Sequence, residues 1–260
     1  MTVLQHTGSD TTTTTPAMRL TGVSKRFGNG PVVLDNISLE VAQGEFVCLL
    51  GASGCGKSTV LNLVAGLDEP TSGAVEVPGR RAALMFQEPA LFPWLTASQN
   101  VELALRLAGM GKAARRERAG ELLALVRLKG AGDKRVHELS GGMRQRVALA
   151  RALAQDSDVL LMDEPFAALD AITRDVLHEE LVRIRESQRL TVVFVTHNVR
   201  EAVRLGERVV LLSSRPGRIA KEYAVDIDQP RRIESPEVAR LSALITEDLR
   251  TEIRRHGGQS

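Results

Sequence analysis

The sequence has little cysteine, no long apolar run and almost no excess of charge. Cys48 and Cys55 are its only cysteines. Their spacing suits neither a metal knuckle nor a disulfide framework, and it points to a reduced, cytosolic setting. No apolar stretch approaches the ~20 residues that cross a bilayer as a helix. Residues 1–17 hold a threonine run at 11–15 and no apolar segment, so they do not read as a signal peptide. They read as a disordered tail. Lys plus Arg total 34 against 32 for Asp plus Glu. That net charge of +2 argues against a dedicated nucleic-acid binder, which carries a marked basic excess. No internal repeat is visible. What remains is an ordinary globular balance, 43% hydrophobic and 25% charged over 260 residues. It suits one large domain, or one core with an inserted subdomain.

Strand-like runs begin near Met18, at 19–23 and 32–41. Three short, wholly apolar runs follow at 46–50, 159–162 and 192–195. Such runs suit strands buried on both faces of a parallel sheet. Alternation with helical segments predicts an α/β fold. Residues 97–139 are rich in Ala, Leu, Arg and Glu, which predicts an all-helical insert. Leu122, Leu125, Val126 and Lys129 share approximate helical spacing there. Two runs at 209–212 and 219–227 flank Arg215-Pro216-Gly217-Arg218, which predicts a hairpin with a type II turn. In the tail, Val238, Leu241, Leu244, Ile245, Leu249 and Ile253 form one apolar helix face.

Two motifs carry chemistry. Gly51-Ala52-Ser53-Gly54-Cys55-Gly56-Lys57-Ser58 matches G-x-x-x-x-G-K-[ST], and Thr59 continues into a helical pattern. Glycines let the backbone wrap and aim N–H groups inward, and the helix start favours anions. Lys57 is placed to reach the β- and γ-phosphates of ATP, and Ser58 to put its hydroxyl on Mg²⁺. By the same helix-start argument, Cys55 is expected to be an activated thiol that ATP protects, and Cys48, mid-strand, an inert one. The second motif is Asp163-Glu164-Pro165 at the end of an apolar run, where α/β sheets bind ligands. Asp163 is assigned to the metal. Glu164 is assigned to the base that orients and deprotonates the attacking water.

Ser140, Gly141, Gly142 and Met143 open a further helix, with Ser140 as its N-cap. They make a second anion site in the same chain. With this segment the sequence resembles the ATP-binding-cassette (ABC) family from Arg19 to about Ile227. The motif Leu139-Ser140-Gly141-Gly142-Met143 departs from the usual ending in Gln. The resemblance implies a P-loop NTPase core with a mixed, largely parallel sheet, an antiparallel β part and an inserted α-helical subdomain. The expected layout is a tail at 1–17, an ATPase domain at 18–230 with its insert at about 90–140, and a C-terminal helical extension at 231–260.

The resemblance further implies that Phe27 stacks on adenine, that Gln87 contacts metal and water, that His197 contacts the γ-phosphate and that Asp170 links two cassettes. It implies a head-to-tail dimer in which Ser140 of one copy faces the ATP of the other. Phe92 and Trp94 are expected beside a membrane partner. Gln87-Glu88-Pro89-Ala90-Leu91-Phe92-Pro93-Trp94, Asp163-Glu164-Pro165-Phe166 and Ser213-Ser214-Arg215-Pro216-Gly217-Arg218 resemble the nitrate/sulfonate/taurine importer ATPases, although 77–82 is short for that group. Two permease subunits, an extracytoplasmic solute-binding protein and a peripheral place on the cytoplasmic membrane face follow from that resemblance. The rival is a soluble ABC ATPase without a transport role. This chain has one cassette and no long coiled coil to favour it.

Overall fold

The computed structural model describes residues 15–79 and 82–257. Residues 1–14, most of the expected tail, lie outside it, as do Arg80 and Arg81 of the short 77–82 segment. Order starts earlier than Met18. Ala17 is buried and donates its N–H to the Val41 carbonyl, so apolar contact and pairing carry the strand edge back into the expected tail.

β1 (Met18–Arg26), β2 (Val32–Val41) and, later, β4 (Ser72–Glu76) form an antiparallel sheet in the order β2-β1-β4. β3 (Phe46–Leu50) runs into α1 (Lys57–Val64). β5 (Ala83–Met85) precedes three helices: α2 (Ala97–Leu107), α3 (Lys112–Leu125) and α4 (Gly141–Leu153). Then come β6 (Val159–Asp163), α5 (Ala171–Gln188), β7 (Thr191–Thr196), α6 (Val199–Leu205), β8 (Arg208–Leu212), β9 (Ile219–Ala224) and α7 (Pro236–Gly257). The second sheet has the order β5-β6-β7-β3-β8-β9, parallel except for β9.

The apolar runs are buried on both faces because the sheet separates two core layers. Phe46, Cys48 and Leu50 of β3 face the layer shared with α2 to α7. Val47 and Leu49 face the layer shared with α1 and the antiparallel sheet. This alternation fixes register, since a one-residue slip would exchange the two faces. The strand order sets the ends of β6, β7 and β3 side by side, with Asp163 opposite Val195 and Leu50 opposite Thr196.

Three local expectations change. α3 stops at Leu125, so Val126 and Lys129 lie beyond it; Val126 is buried as the cap and Arg127 turns the chain with φ 55°. The β8–β9 hairpin is present, but Gly217 has no positive φ, so the turn is not type II. Glycine is needed there for close approach: a Cβ on Gly217 would lie 2.1 Å from the Cys55 carbonyl oxygen. Ser213 Oγ closes the turn instead, accepting from Arg218 N–H and donating to the Pro216 carbonyl, both at 3.0 Å. In α7, Leu244 and Ile253 are exposed, while Val238, Ser242, Ile245 and Glu252 are buried. Those four follow i, i+4, i+7 and i+14 spacing, which leaves 244 and 253 off the packed stripe.

Candidate nucleotide site

The loop between β3 and α1 is shaped by its neighbours. Gly56, the residue before α1, has φ 100°, and a Cβ there would come within 2.5 Å of Leu34 Cδ2. No acidic residue stands in the first turn of α1, so its N-terminus keeps its affinity for an anion. Lys57 is 6% exposed, and its ammonium donates to the Gly51 and Ala52 carbonyls at 2.8 and 3.0 Å. Ser53, Gly54 and Ser58 are exposed, and Thr59 is half-buried.

Cys55 departs from expectation. It is buried, and desolvation raises its thiol pKa despite the opposing pull of Lys57. Removal of water outweighs the favourable field of the helix start. Cys48 is fully buried and its pKa is raised further by the same cause. Neither thiol is therefore expected to alkylate in the folded chain, with or without Mg-ATP. Mass mapping after limited alkylation checks this, and ATP-sensitive labelling of Cys55 would restore the activated thiol.

The acidic strand end lies beside the loop. Asp163 is half-buried; desolvation raises its pKa, opposed by a hydrogen bond from the Ser58 hydroxyl. Glu164 has φ 42°, a left-handed conformation uncommon for a side chain of its size. Its N–H donates to the Val195 carbonyl at 3.0 Å, which ties it to β7. Its Oε2 lies 2.9 Å from Nδ1 of His197, just beyond the end of β7. The two residues line one cavity of about 40 Å³ with Arg174, Thr196, Asn198 and Glu201.

Other expected residues sit elsewhere. Gln87 follows β5; its side chain is exposed and its carbonyl accepts from the buried Gln145 side chain at 3.0 Å. Phe27 presents an exposed ring, with Lys25 Nζ 4.7 Å from its centroid. Ser140 caps α4, its hydroxyl accepting from Met143 N–H at 3.2 Å. Position 143 thus takes part through its backbone, which the change from Gln leaves intact. Gly142 packs close to α5: a Cβ there would lie 2.6 Å from Thr173 Cγ2. Asp170 caps α5, accepting from Thr173 N–H at 2.9 Å, and that N–H holds its carboxyl below the usual range. Gly142 and Asp170 are therefore neighbours across the α4–α5 start, whereas Lys57, Ser58, Asp163, Glu164 and His197 gather at the strand ends.

Sequence reasoning missed several supports. Arg174 donates to the Phe166 and Leu169 carbonyls at 3.3 and 2.7 Å and pins the turn leading to Asp170. Asn100 is fully buried and holds Phe92 through both its amide atoms. Arg151 donates to the Pro89 and Ala90 carbonyls at 2.9 and 2.7 Å. Together Asn100 and Arg151 set the 89–95 segment, where the Phe92 and Trp94 rings pair at 5.5 Å. Arg174 and Asn100 reach main-chain atoms five to eight residues back and Arg151 reaches 61 and 62 residues back, so no helix or strand period marks any of them.

A family profile described as ABC transporter matches residues 34–167. The chain belongs to the ABC transporter family. An uncharacterized ABC transporter ATP-binding protein of Methanocaldococcus jannaschii is 46% identical over 241 residues, 90% of each chain. An aliphatic sulfonates import ATP-binding protein of Mesorhizobium japonicum is 47% identical, over 90% of this chain and 88% of its own. A taurine import ATP-binding protein of Sinorhizobium fredii is 49% identical, over 78% of this chain and 80% of its own. Among solved structures, a dimeric ATP-binding cassette in a post-hydrolysis state with ADP and Pi superposes with a TM-score of 0.72 at 35% identity. It covers 81% of this chain and 100% of its own. The fold is that of an ABC cassette, and the chain is an ATPase that uses ATP and Mg²⁺. No helix among the described residues is long and apolar enough to cross a membrane.

Proposed function

We propose that this ABC ATPase energises import of a small sulfonate-type anion, with taurine and aliphatic sulfonates as the leading class. The chemical part rests on one observation: Glu164 and His197 meet at 2.9 Å beside the loop that holds Lys57. The solute class rests on identity of 46–49% to taurine and sulfonate import ATP-binding proteins.

In this reading the loop N–H groups of Gly51, Ala52, Ser53, Gly54, Cys55 and Gly56, with the start of α1 through Thr59, cradle the phosphates. Lys57 exchanges its loop carbonyls for β- and γ-oxygens. Phe27 offers its exposed face to adenine. The donor set of Ser58, Asp163 and Gln87 suits Mg²⁺, which favours a few hard oxygens and leaves its other positions to water and phosphate. When bound, Mg²⁺ neutralises charge on the phosphate oxygens. Glu164 accepts the proton of the attacking water, and His197 orients that carboxylate and contacts the γ-phosphate.

Ser140, Gly141, Gly142 and Met143 serve the ATP of a second copy in a head-to-tail dimer, with Asp170 at the joint. Two permease subunits complete the complex on the cytoplasmic membrane face, and an extracytoplasmic solute-binding protein delivers the anion. The exposed Phe92–Trp94 pair, at the edge of a groove with Leu95, Gln99 and Leu103, supports this as the permease contact. The same proposal keeps the ATPase domain, its helical insert and the C-terminal extension as the working parts, with the ordered ATPase domain extended to Ala17.

Deleting the gene in its host should abolish growth on taurine or an alkanesulfonate as sole sulfur source, with growth on sulfate kept. The intact chain should restore growth and Glu164→Gln should not. Undiminished growth of the deletion strain on all of these sulfonates would remove the solute assignment.

A further inference from the structure

Beneath the His197 turn lies a buried polar cluster that this hydrolytic scheme does not use. Glu201, in α6, is 7% exposed. Its Oε2 accepts from the Thr196 hydroxyl, and its Oε1 lies 2.7 Å from Nε2 of the buried His178. Thr196 Oγ1 also accepts from Asn198 N–H at 2.9 Å, and Asn198 Oδ1 accepts from the N–H groups of Arg200 and Glu201 at 3.0 and 3.3 Å. His197 is therefore flanked on both sides by residues tied to Glu201, Thr196 through the carboxylate and Asn198 through the Glu201 N–H and the Thr196 hydroxyl. The other side of the cluster reaches the Glu164 segment: the His178 ring packs on Phe166 at 5.5 Å.

A buried carboxylate is costly to desolvate, and an apolar residue would fill the same space more cheaply. Here the carboxylate does what an apolar residue cannot. It orients a hydroxyl whose own oxygen holds the next turn of backbone. Without that anchor, the segment past the end of β7 loses the restraint that aims the imidazole at Glu164. Misplacement of a reacting group by about 1 Å costs on the order of 10²-fold in rate.

We propose that Glu201 is a positioning residue for ATP hydrolysis, acting through the Thr196 hydroxyl to present His197 Nδ1 to Glu164. This rests on Glu164 and His197 being the reacting pair. Thr196→Val keeps the side-chain shape and removes only the hydroxyl. It is expected to lower kcat by about tenfold and leave KM for ATP within about twofold, because the Lys57 loop is untouched. Glu201→Leu should match it, and Thr196→Ser should restore activity.

In a His197→Ala background, Thr196→Val should change kcat by less than about twofold, since partners acting in series are not additive. The ¹⁵N ring resonances of His197 should shift in Thr196→Val and return in Thr196→Ser, which reads the geometry without turnover. An unimpaired Thr196→Val beside an impaired His197→Ala overturns the positioning role alone, as does an equal loss in both backgrounds or an unmoved His197 ring. Full turnover by His197→Ala overturns the reading of the pair, and the positioning role with it.

Discussion

Glu164→Gln is expected to lose ATP turnover by about 10²- to 10⁴-fold while keeping ATP affinity. That is the usual range for removing a general base and corresponds to about 3–5 kcal/mol of barrier. The amide keeps the size of the carboxylate and can still reach His197 Nδ1, now 2.9 Å from Oε2, but it cannot accept the water's proton. Lys57 and the loop N–H groups are unaltered, so the phosphates stay held. With hydrolysis blocked, ATP should remain bridged between the Lys57 loop of one copy and the Ser140 helix of the other. Size-exclusion chromatography with Mg-ATP should then show a stable dimer. Lys57→Ala should show none, because it removes a cation that binds the phosphates. Near-normal hydrolysis by Glu164→Gln would reject Glu164 as the base. An inactive variant that stays monomeric at high ATP would keep the base and reject a sandwich dimer of the isolated subunit.

Arg231→Met should cause a large loss of stability without touching the chemistry. The side chain is 7% exposed, and every guanidinium nitrogen is engaged by main-chain carbonyls. Nε donates to Ile227 at 2.7 Å, Nη1 to Val203 at 3.0 Å and also to Gly206, and Nη2 to Val225 at 3.0 Å. One fork thus caps the end of α6 and ties down the chain that leaves β9 for α7. Burial pulls the pKa of Arg231 down, but a guanidinium starts so high that it stays charged. Methionine fills the stem and leaves these buried carbonyls without donors. Breaking such a buried set costs about 3 kcal/mol or more, a fall of roughly 6–12 °C in melting temperature for a chain of this size. Calorimetry checks it. ATP turnover per folded molecule should be kept, because the fork touches none of the nucleotide residues. A shift under about 2 °C would mean that water replaces the lost donors and that the fork is not a staple.

The two predictions differ in how far the sequence foretells them. Glu164 is readable because the apolar run before it, the adjacent Asp163 and the upstream phosphate motif are each local patterns. Arg231 carries no such pattern: its partners are four carbonyls contributed by two segments, the end of α6 at 203–206 and the stretch past β9 at 225–227. Residues whose local pattern misleads share that cause. Cys55 stands before a helix, which by itself favours a thiolate, yet it is buried where the hairpin loop at Gly217 meets the phosphate loop, and desolvation prevails over the opposing pull of Lys57. Gly217 follows a proline as a turn glycine would, yet its lack of a side chain serves contact with the phosphate loop. Leu244 and Ile253 look equivalent to Val238 and Ile245 in composition, and only the seat of α7 decides which of them meets the core.

By itself the sequence determined the elements that depend on near neighbours. These are the strands apolar on both faces, the loop that must contain glycines and Lys57, the cap at Ser140, and through them the family. The tertiary structure alone decided which of these meet. Glu164 and His197 are 33 positions apart, and they touch because β6 and β7 pair in register. Gly142 lies against Thr173 because α4 and α5 start side by side. Thr196, Glu201 and His178 close their cluster from three elements. Local patterns record the conformation and burial a residue needs, while the pairing of distant segments follows from strand order and crossovers, which no short stretch of chain encodes.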